Sequence, residues 1–483
     1  MSVNKDAFIN GFKTKVIAPA GYGKTHFIAE CIKYTEDNKL GKQLILTHTH
    51  AGIASIKEKL SKLGVKSSSY NIETICGYAQ KYVFAFIDNS IIPEQKDAKF
   101  FYDFIINQVI ELFSKNSIRN IIIDTYSGIF VDEYQDCTAL QHEMIMNLKE
   151  IIPIHILGDP MQGIFDFKDN ILVDFNTDLR DFEGSCGELD IPWRWQSDGN
   201  NLNLGAELGQ IRDCLETKNN INLLACRNAI VNKVRGNVYD DSEYRDKVND
   251  LLNDSTYNSV LIIAHGQIDE RKVLRMSFGA FRNIQLLEAI DDNDFYSFAN
   301  KFDDLIKNNS RKFLKFKIIL EKLFGISDIK KWFNDDGLIA KRKDVDKQKS
   351  SELFPFVKNL IGNIVTYDDL YRLMYKLKNT LKLRCWRADL LNSIIKSLEE
   401  SALTGCSVTD AMYNHKNNIR RMGRKIYGRC IGTTLLTKGL EFDHVIILDT
   451  QLFKNKKDFY VSVTRACKKL TIFTTNTTLS FDD

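Results

Sequence analysis

The chain has 483 residues, of which 44% are hydrophobic and 27% are charged, which is the length and composition of a globular protein with two or more domains. Its ten cysteines form no C-x-x-C pair, which favours free thiols in a reducing cytoplasm over disulfides, zinc or an iron–sulfur cluster. The N-terminal residues form no apolar signal core, and no uncharged run reaches the ~18 residues of a membrane span, so we expect a soluble protein of the cytoplasm.

A phosphate-binding loop is predicted between the apolar run Val16-Ile17 and a helix-compatible run that starts at Phe27. The loop consists of Ala18, Pro19, Ala20, Gly21, Tyr22, Gly23, Lys24 and Thr25. A strand, a glycine turn and a helix N-terminus direct backbone N–H groups at phosphates, while Lys24 reaches the β- and γ-oxygens and Thr25 ligates Mg²⁺. Ala18 replaces the first glycine of the general pattern, and a chance Gly-Lys turn is the alternative.

Two later strands are predicted to end in polar side chains. The apolar run 129–131 leads into Asp132 and Glu133, which can hold the Mg²⁺ and activate the attacking water, respectively. An acidic loop is the alternative at this position. The strand 154–157 is followed closely by Gln162, which is well placed to sense a γ-phosphate.

Two aromatic residues follow the second of these strands. Phe165 and Phe167 are separated by one residue, and Lys168 comes directly after them. Two such rings beside a cation can present stacking faces to nucleic-acid bases. The alternative is that both are ordinary core residues at strand period.

Taken in order, these segments and two near the C-terminus resemble the UvrD/Rep family of superfamily 1A helicases. The C-terminal pair comprises residues 433–442, which lead into the apolar strand 445–448, and residues 460–466. The resemblance implies an α/β fold with two RecA-like P-loop domains, each with a parallel sheet and a mostly helical insertion. It also implies ATP hydrolysis with Mg²⁺ and 3′→5′ movement on single-stranded or tailed DNA.

The resemblance assigns roles to residues of the first half of the chain. Asp132 matches the metal-binding carboxylate, Glu133 the water-activating carboxylate, and Gln162 the γ-phosphate sensor. The implied contacts with DNA are made by Thr47, Thr49, Thr74, Phe165, Phe167 and Lys168. Cys76 replaces a histidine of the family, which weakens the match at that DNA contact.

In the second half of the chain, the resemblance places Trp193 on adenine and Arg194 on the γ-phosphate. Gly439 and Glu441 would bind the nucleotide, and Glu441 would contact the ribose of that nucleotide. Thr433 would contact DNA. Arg465 would be the arginine finger, a cation whose arrival requires closure of the cleft. Leu435 and Leu436 replace a histidine and a serine of the family. Because residues 3–15 contain no adenine-reading glutamine, selectivity for ATP depends on Trp193.

The spacing of the segments predicts the domain organisation. The first RecA-like domain comprises residues 1–77 and 121–199, with a small helical insertion at 78–120. The second comprises residues 200–300 and 429–483, with a basic, mostly helical insertion between its two parts, at 301–428.

Charge is concentrated in the larger insertion. The net charge of the chain is only +3, whereas residues 301–428 contain 27 Lys and Arg against 15 Asp and Glu. Such a segment favours a surface that follows phosphates, and amphipathic helices with solvated lysine faces are the alternative. Helical spacing is shown there by Leu370, Leu373, Met374 and Leu377.

The chain ends soon after the apolar strand 471–473, so a fused C-terminal nuclease is not expected. In its length and short insertions it resembles compact family members that work with a separate OLD/TOPRIM-type nuclease, such as GajB of the Gabija anti-phage system. A free-standing repair or plasmid helicase is the competing placement. Two other functions stay open: an ATP-dependent sensor of nucleic-acid ends that signals to a partner, and a P-loop ATPase that binds no nucleic acid.

Overall fold

The computed structural model describes most of the chain, in segments that together contain two parallel β-sheets and many helices. The described residues are 3–93, 98–165, 171–184, 188–196, 200–217, 220–279, 284–288, 293–307, 311–333, 344–362, 365–383, 385, 387–422, 426 and 428–481.

The first sheet has six parallel strands in the spatial order β3-β2-β4-β5-β1-β6. Its strands are β1 Lys13–Ile17, β2 Gln43–Thr47, β3 Tyr70–Thr74, β4 Gly128–Val131, β5 Ile154–Gly158 and β6 Glu183–Gly184. The helices of this half are α1 Lys5–Asn10, α2 Lys24–Asp37, α3 His50–Lys62, α4 Ile75–Phe86, α5 Ala98–Phe113, α6 Asn116–Thr125, α7 Ala139–Leu148 and α8 Trp193–Gln196.

The second sheet also has six parallel strands, in the order β10-β11-β9-β12-β13-β8, and a two-stranded antiparallel sheet pairs β14 with β7. The strands are β7 Ile221–Asn222, β8 Ala229–Lys233, β9 Ser259–Ile263, β10 Ile284–Leu286, β11 Gly428–Gly432, β12 Phe442–Ile447, β13 Ala466–Thr474 and β14 Thr478–Leu479. The helices that accompany them are α9 Leu202–Glu216, α10 Ser242–Asn253, α11 Ile268–Ser277, α19 Thr434–Thr437 and α20 Lys456–Val463.

A third region is helical and lies between β10 and β11 in the chain. It contains α12 Asn293–Lys307, α13 Lys312–Leu323, α14 Ile326–Trp332, α15 Asp344–Ile361, α16 Tyr367–Asn379, α17 Ala388–Thr404 and α18 Val408–Met422. The four apolar residues predicted at helical spacing all lie on α16 and are fully buried in the core of this region. The helices pack mainly on one another, and α18 also contacts α3 beside the first sheet.

The burial of the strands fits sheets that are covered by helices on both faces. Both β2 and β5 are buried along their whole length, as expected for central strands of a parallel sheet that helices cover on both faces. Separate apolar cores lie on the two faces of each large sheet. The predicted α/β fold with two parallel sheets is therefore confirmed, while the domain boundaries stay predictions.

Register places the functional segments at one edge of the first sheet. Val16 is level with Leu157, Leu46 with Val131, and Thr47 with Thr74, so the loops after these strands leave from the same side. Ligands of parallel α/β sheets bind in the crevice at the carboxyl ends of the strands. The phosphate loop, the Asp132 segment and the Gln162 segment all begin at this edge.

Among the described residues, no helix is both long and apolar enough to cross a membrane, and no cluster of three His, Cys, Asp or Glu side chains could hold a metal ion. The nine cysteines within the described ranges are free thiols.

Candidate nucleotide-binding site

The phosphate loop joins β1 to α2 and adopts a conformation that needs its glycines. Gly21 and Gly23 have φ of 75° and 83°, the left-handed region that L side chains rarely adopt. A Cβ on Gly23 would lie 2.6 Å from Cδ1 of Trp193, so the loop also lacks room for a side chain there. Lys24 is buried, and its Nζ donates to the carbonyl oxygens of Ala18 at 2.9 Å and Pro19 at 3.1 Å. Its ammonium group is thus held inside the loop.

A hydroxyl and a carboxylate lie side by side next to this loop. Thr25 Oγ1 donates to Asp132 Oδ2 at 3.1 Å, and the backbone N–H of Glu133 donates to Asp132 Oδ1 at 3.0 Å. Burial, and then the neighbouring Glu133, raise the pKa of Asp132. A cation would relieve this unfavourable environment, and an oxygen-only donor pair suits Mg²⁺, so Thr25 and Asp132 fit the predicted metal role.

Glu133 directly follows the strand β4 and has the left-handed φ of 54°, which is uncommon for a residue with a side chain. Burial opposes the charged form of this carboxyl group, but Lys24, a hydrogen bond from Gln135, Lys438 and Arg465 together lower its pKa. The group is therefore ionised and able to accept a proton. Strained backbone of this kind is frequent at functional positions.

Gln162 occupies a buried position after β5. Its Nε2 donates to Asp159 Oδ2 at 2.9 Å, which turns its Oε1 towards the Arg465 guanidinium, 3.5 Å from Nη2. Gln162 belongs to the first sheet and Arg465 precedes β13 of the second. The structure thus brings together two predicted site residues that are far apart in sequence.

Arg465 is fully buried and lies two residues after the last residue of α20. Its Nε donates to the Val461 carbonyl at 2.9 Å and its Nη1 to the Leu440 carbonyl at 3.2 Å. Burial, and then the nearby Arg194, lower the pKa of Arg465 to about 10, so the guanidinium is still charged at neutral pH. These bonds aim its Nη2 edge at the Gln162 side chain.

Arg194 connects the phosphate loop to the second sheet. Its backbone N–H donates to the Gly21 carbonyl at 3.0 Å, its Nη1 to the Thr464 carbonyl at 2.6 Å, and its Nε to Glu441 Oε1 at 2.9 Å. Arg194 is the main cause of the lowered pKa of Glu441. Gly439 has a φ of 78° and forms the turn that places Glu441 directly before β12.

Trp193 lies directly before Arg194 with 48% of its surface exposed. Its indole covers Gly23 and lies 6.2 Å, between ring centroids, from the imidazole of His26. By contrast, Trp195 is buried and donates from Nε1 to the Ala466 carbonyl at 2.8 Å. Only the first of the two indoles offers an open face beside the phosphate loop.

Two of the four predicted DNA-contacting threonines have local hydrogen-bond partners. Thr49 and Thr74 each cap a helix, accepting from Gly52 N at 3.0 Å and from Gly77 N at 2.9 Å. Thr47 is 1% exposed, and Thr433 lies at the N-cap position of α19. All but Thr433 lie at the carboxyl edge of the first sheet, and their contacts with DNA stay predictions.

The segment that contains Gln162 is described as far as Phe165, whereas Phe167 and Lys168 lie outside the described residues. The ring of Phe165 has the ammonium of Lys438 4.5 Å from its centroid. Lys438 also donates to the Gln162 carbonyl at 2.5 Å and forms an ion pair with Asp136. Lys438 therefore contacts both the position predicted to stack on bases and the position predicted to sense phosphate.

Three site residues were missed by the sequence reasoning. Lys438 lies inside the segment that resembles the family, and Tyr460 begins the last such segment, so both could have been found there. Arg212 lies on α9, outside every recognised segment, and its role is visible only from its contacts with Asp159 and Tyr460.

Comparison with known proteins gives matches of limited extent. A family model described as an AAA domain matches residues 6–168, which include the phosphate loop, Asp132 and Gln162. One of the subunits of the ATP-dependent helicase/nuclease from Lactococcus lactis subsp. lactis (strain IL1403) is 30% identical over 90 residues, 18% of this chain and 8% of that protein.

Solved structures with similarity to the chain include two described as a helicase and as Pif1. The complex of Arterivirus nonstructural protein 10 (helicase) with DNA has a TM-score of 0.36 at 11% identity, and the match covers 95% of this chain and 60% of that chain. Bacteroides sp Pif1 in complex with ADP-AlF4 has a TM-score of 0.29 at 12% identity, with 56% of each chain covered. The chain therefore spans less than two thirds of the length of each of these relatives.

Proposed function

We propose that the chain is an ATP-dependent DNA helicase or translocase of superfamily 1. The observation that carries the proposal is the approach of Arg465 to Gln162, with 3.5 Å between Nη2 and Oε1, beside a phosphate loop. One of these residues follows a strand of the first sheet and the other precedes a strand of the second. The AAA-domain match and the similarity to part of a helicase/nuclease support this class of enzyme.

In this proposal ATP binds between the two sheets, with its phosphates on the loop from Ala20 to Thr25. Bound Mg²⁺, held by Thr25 and Asp132, would neutralise charge on the β- and γ-phosphates. Glu133 accepts a proton from the water that attacks the γ-phosphorus. Lys24 and Arg465 stabilise the negative charge that develops on the transferring phosphoryl group.

The remaining polar groups orient the nucleotide. Trp193 offers its exposed indole face to the adenine, and Glu441 accepts from the ribose hydroxyls. Arg194, whose backbone N–H donates to the Gly21 carbonyl, is the residue that the family resemblance places on the γ-phosphate. Glu441 directly precedes strand β12 of the second sheet, and Trp193 and Arg194 lie on α8, which precedes that sheet in the chain.

Hydrolysis then requires both sheets, and this requirement supports movement along DNA. Arg465 completes the site only when the two sheets approach, so each turnover closes and opens the cleft. Phe165 and Phe167, the predicted base-stacking residues near Gln162, would move as the cleft closes and opens. From the resemblance to UvrD/Rep we further propose that the chain moves in the 3′→5′ direction on single-stranded or tailed DNA, in the cytoplasm.

Replacing both Phe165 and Phe167 with alanine should weaken binding of single-stranded DNA. Each stacked base contributes ~1–3 kcal/mol, so we expect a loss of at least tenfold in affinity. Stimulation of the ATPase by DNA should fall with it, because Phe165 is close to the Gln162 segment. Fluorescence anisotropy with a labelled oligonucleotide and a steady-state ATPase assay measure the two effects.

Phe12→Ala is the matched control for this double variant. Phe12 is 47% exposed and precedes β1, at the edge of the first sheet opposite the phosphate loop. We expect its DNA affinity to equal that of the wild type. Unchanged DNA affinity and stimulation in the double variant would return both phenylalanines to a packing role.

Strand displacement from tailed duplexes tests the direction. We expect weak unwinding of a 3′-tailed duplex by the chain alone, since Leu435 and Leu436 remove polar groups that would help the second sheet hold the strand. A separate OLD/TOPRIM-type nuclease that holds the duplex should increase the yield. Unwinding only from a 5′ tail would contradict the UvrD/Rep placement. DNA-stimulated ATPase activity without displacement from either tail would favour a sensor of nucleic-acid ends.

A further inference from the structure

A buried cluster of Asp159, Arg212 and Tyr460 connects the nucleotide segments of the first sheet to α9 and α20. Asp159 follows β5, and its side chain is completely buried. Its Oδ1 accepts from Arg212 Nη1 at 2.7 Å, and its Oδ2 accepts from the Tyr460 hydroxyl at 3.2 Å. Because a buried carboxylate is costly unless it is paired and hydrogen-bonded, these two partners largely determine where Asp159 can lie.

Asp159 in turn orients the predicted γ-phosphate sensor. Its Oδ2 also accepts from Gln162 Nε2 at 2.9 Å, and its Oδ1 accepts from the Met161 N–H at 3.2 Å. The first bond prevents the Gln162 amide from flipping, so Oε1 is the atom that faces Arg465. The cluster therefore fixes the Gln162 amide with its acceptor oxygen towards the Arg465 guanidinium.

The same cluster reaches the phosphate loop. The Tyr460 hydroxyl accepts from the Ala20 N–H at 3.0 Å and from Arg212 Nη1 at 3.4 Å. Burial, and then Asp159, raise the pKa of Tyr460, so its hydroxyl keeps the proton that it donates to Asp159. Tyr460 also lies on α20, five positions before Arg465, and a shift of this helix would move both residues together.

Helix α9 also contacts the loop. The Tyr22 hydroxyl lies 3.0 Å from the position that a Cβ would take on Gly209, one turn before Arg212. Arg212 is fixed at its other end by Glu216, with Nη2 2.8 Å from Oε1. The helix thus lies against Tyr22 of the loop at one turn and contacts Asp159 and Tyr460 at the next.

We propose that Arg212 and Tyr460 are positioning residues for ATP hydrolysis, which hold the phosphate loop, Gln162 and Arg465 in one arrangement across the cleft. The inference rests on the proposed function. Both residues act through Asp159, Gln162 and Ala20. Their loss should therefore lower the rate of hydrolysis more than the affinity for ATP.

Tyr460→Phe in the full chain is the direct test, because it removes only the hydroxyl. With Mg-ATP as substrate we expect kcat to fall about tenfold, the effect of losing one ordinary hydrogen bond in the transition state, while KM changes less than about twofold. Arg212→Gln should lower kcat at least as much, and Arg212→Lys, which keeps the charge facing Asp159, should restore part of it.

Tyr244→Phe is the matched control. Tyr244 is as deeply buried as Tyr460, and its hydroxyl accepts from the Asp449 N–H at 3.0 Å on the other face of the second sheet. We expect a similar loss of thermal stability in the two variants and a lower kcat only in Tyr460→Phe. An equal fall of kcat in both, or a wild-type kcat in Tyr460→Phe, would overturn the positioning role. Failure of the wild type to hydrolyse ATP at all would instead overturn the proposed function.

Discussion

Arg465→Ala should retain ATP binding and lose at least ~10³-fold in the rate of hydrolysis, as other enzymes do when an arginine finger is removed. The guanidinium is fixed by the Val461 and Leu440 carbonyls and directed at Gln162, so it is aimed at the cleft beside the phosphate loop. Its charge is therefore available where negative charge develops in the transition state. Single-turnover hydrolysis and equilibrium binding of ATP separate the two steps.

Loss of a buried arginine can also destabilise the fold, and Arg275→Ala controls for this. Arg275 is buried on α11 and, like Arg465, donates to backbone carbonyls, those of Ile284 and Cys385, both at 3.4 Å. It lies away from the phosphate loop. We expect both variants to lose thermal stability and only Arg465→Ala to lose hydrolysis. Wild-type hydrolysis by Arg465→Ala would mean that the second sheet contributes no catalytic cation.

The strands and their functional ends could be predicted from sequence because short apolar runs that stop at glycine or carboxylate residues are local signals. The runs before Ala18, Asp132 and Asp159 all form strands of the first sheet. Since parallel strands end at a common edge, the residues after them had to meet. The helical spacing in α16 was equally local, and its four apolar residues are buried as expected.

Contacts between the two sheets could not be predicted in this way. Arg212 and Asp159 are 53 positions apart, and Tyr460 is 301 positions from Asp159. No periodicity marks such a pair, because each residue alone reads as an ordinary polar position on a helix or loop. Thr49 and Thr74 cap helices through neighbouring N–H groups, a local role that the family resemblance, which assigns both residues to DNA, does not include.

Glu133 is the residue whose conservative replacement should separate ATP binding from hydrolysis most cleanly. The left-handed backbone at Glu133 directs its side chain into the cleft, and the Asp132 carboxylate already accepts its N–H. Surrounding cations lower the pKa of Glu133 despite its burial, so it is the anionic partner that an attacking water needs. The amide of a glutamine fills the same space and cannot accept the proton.

Glu133→Gln should therefore bind ATP with wild-type affinity and hydrolyse it ~10²–10⁴-fold more slowly, the range expected for loss of a general base. Rapid filtration after mixing with radiolabelled ATP should recover uncleaved nucleotide on the variant. Glu36→Gln is the matched control, because Glu36 is a half-buried carboxylate of the same half of the chain that accepts from Lys66 N at 2.9 Å and Ser69 Oγ at 3.0 Å, on α2 and away from the cleft. We expect it to hydrolyse ATP normally. If Glu133→Gln released ADP at the wild-type rate, proton transfer to Glu133 would not be part of the reaction. The remaining role of the carboxylate would then be structural, as the acceptor of the hydrogen bond from Gln135. In that case Gln135→Ala should lose thermal stability.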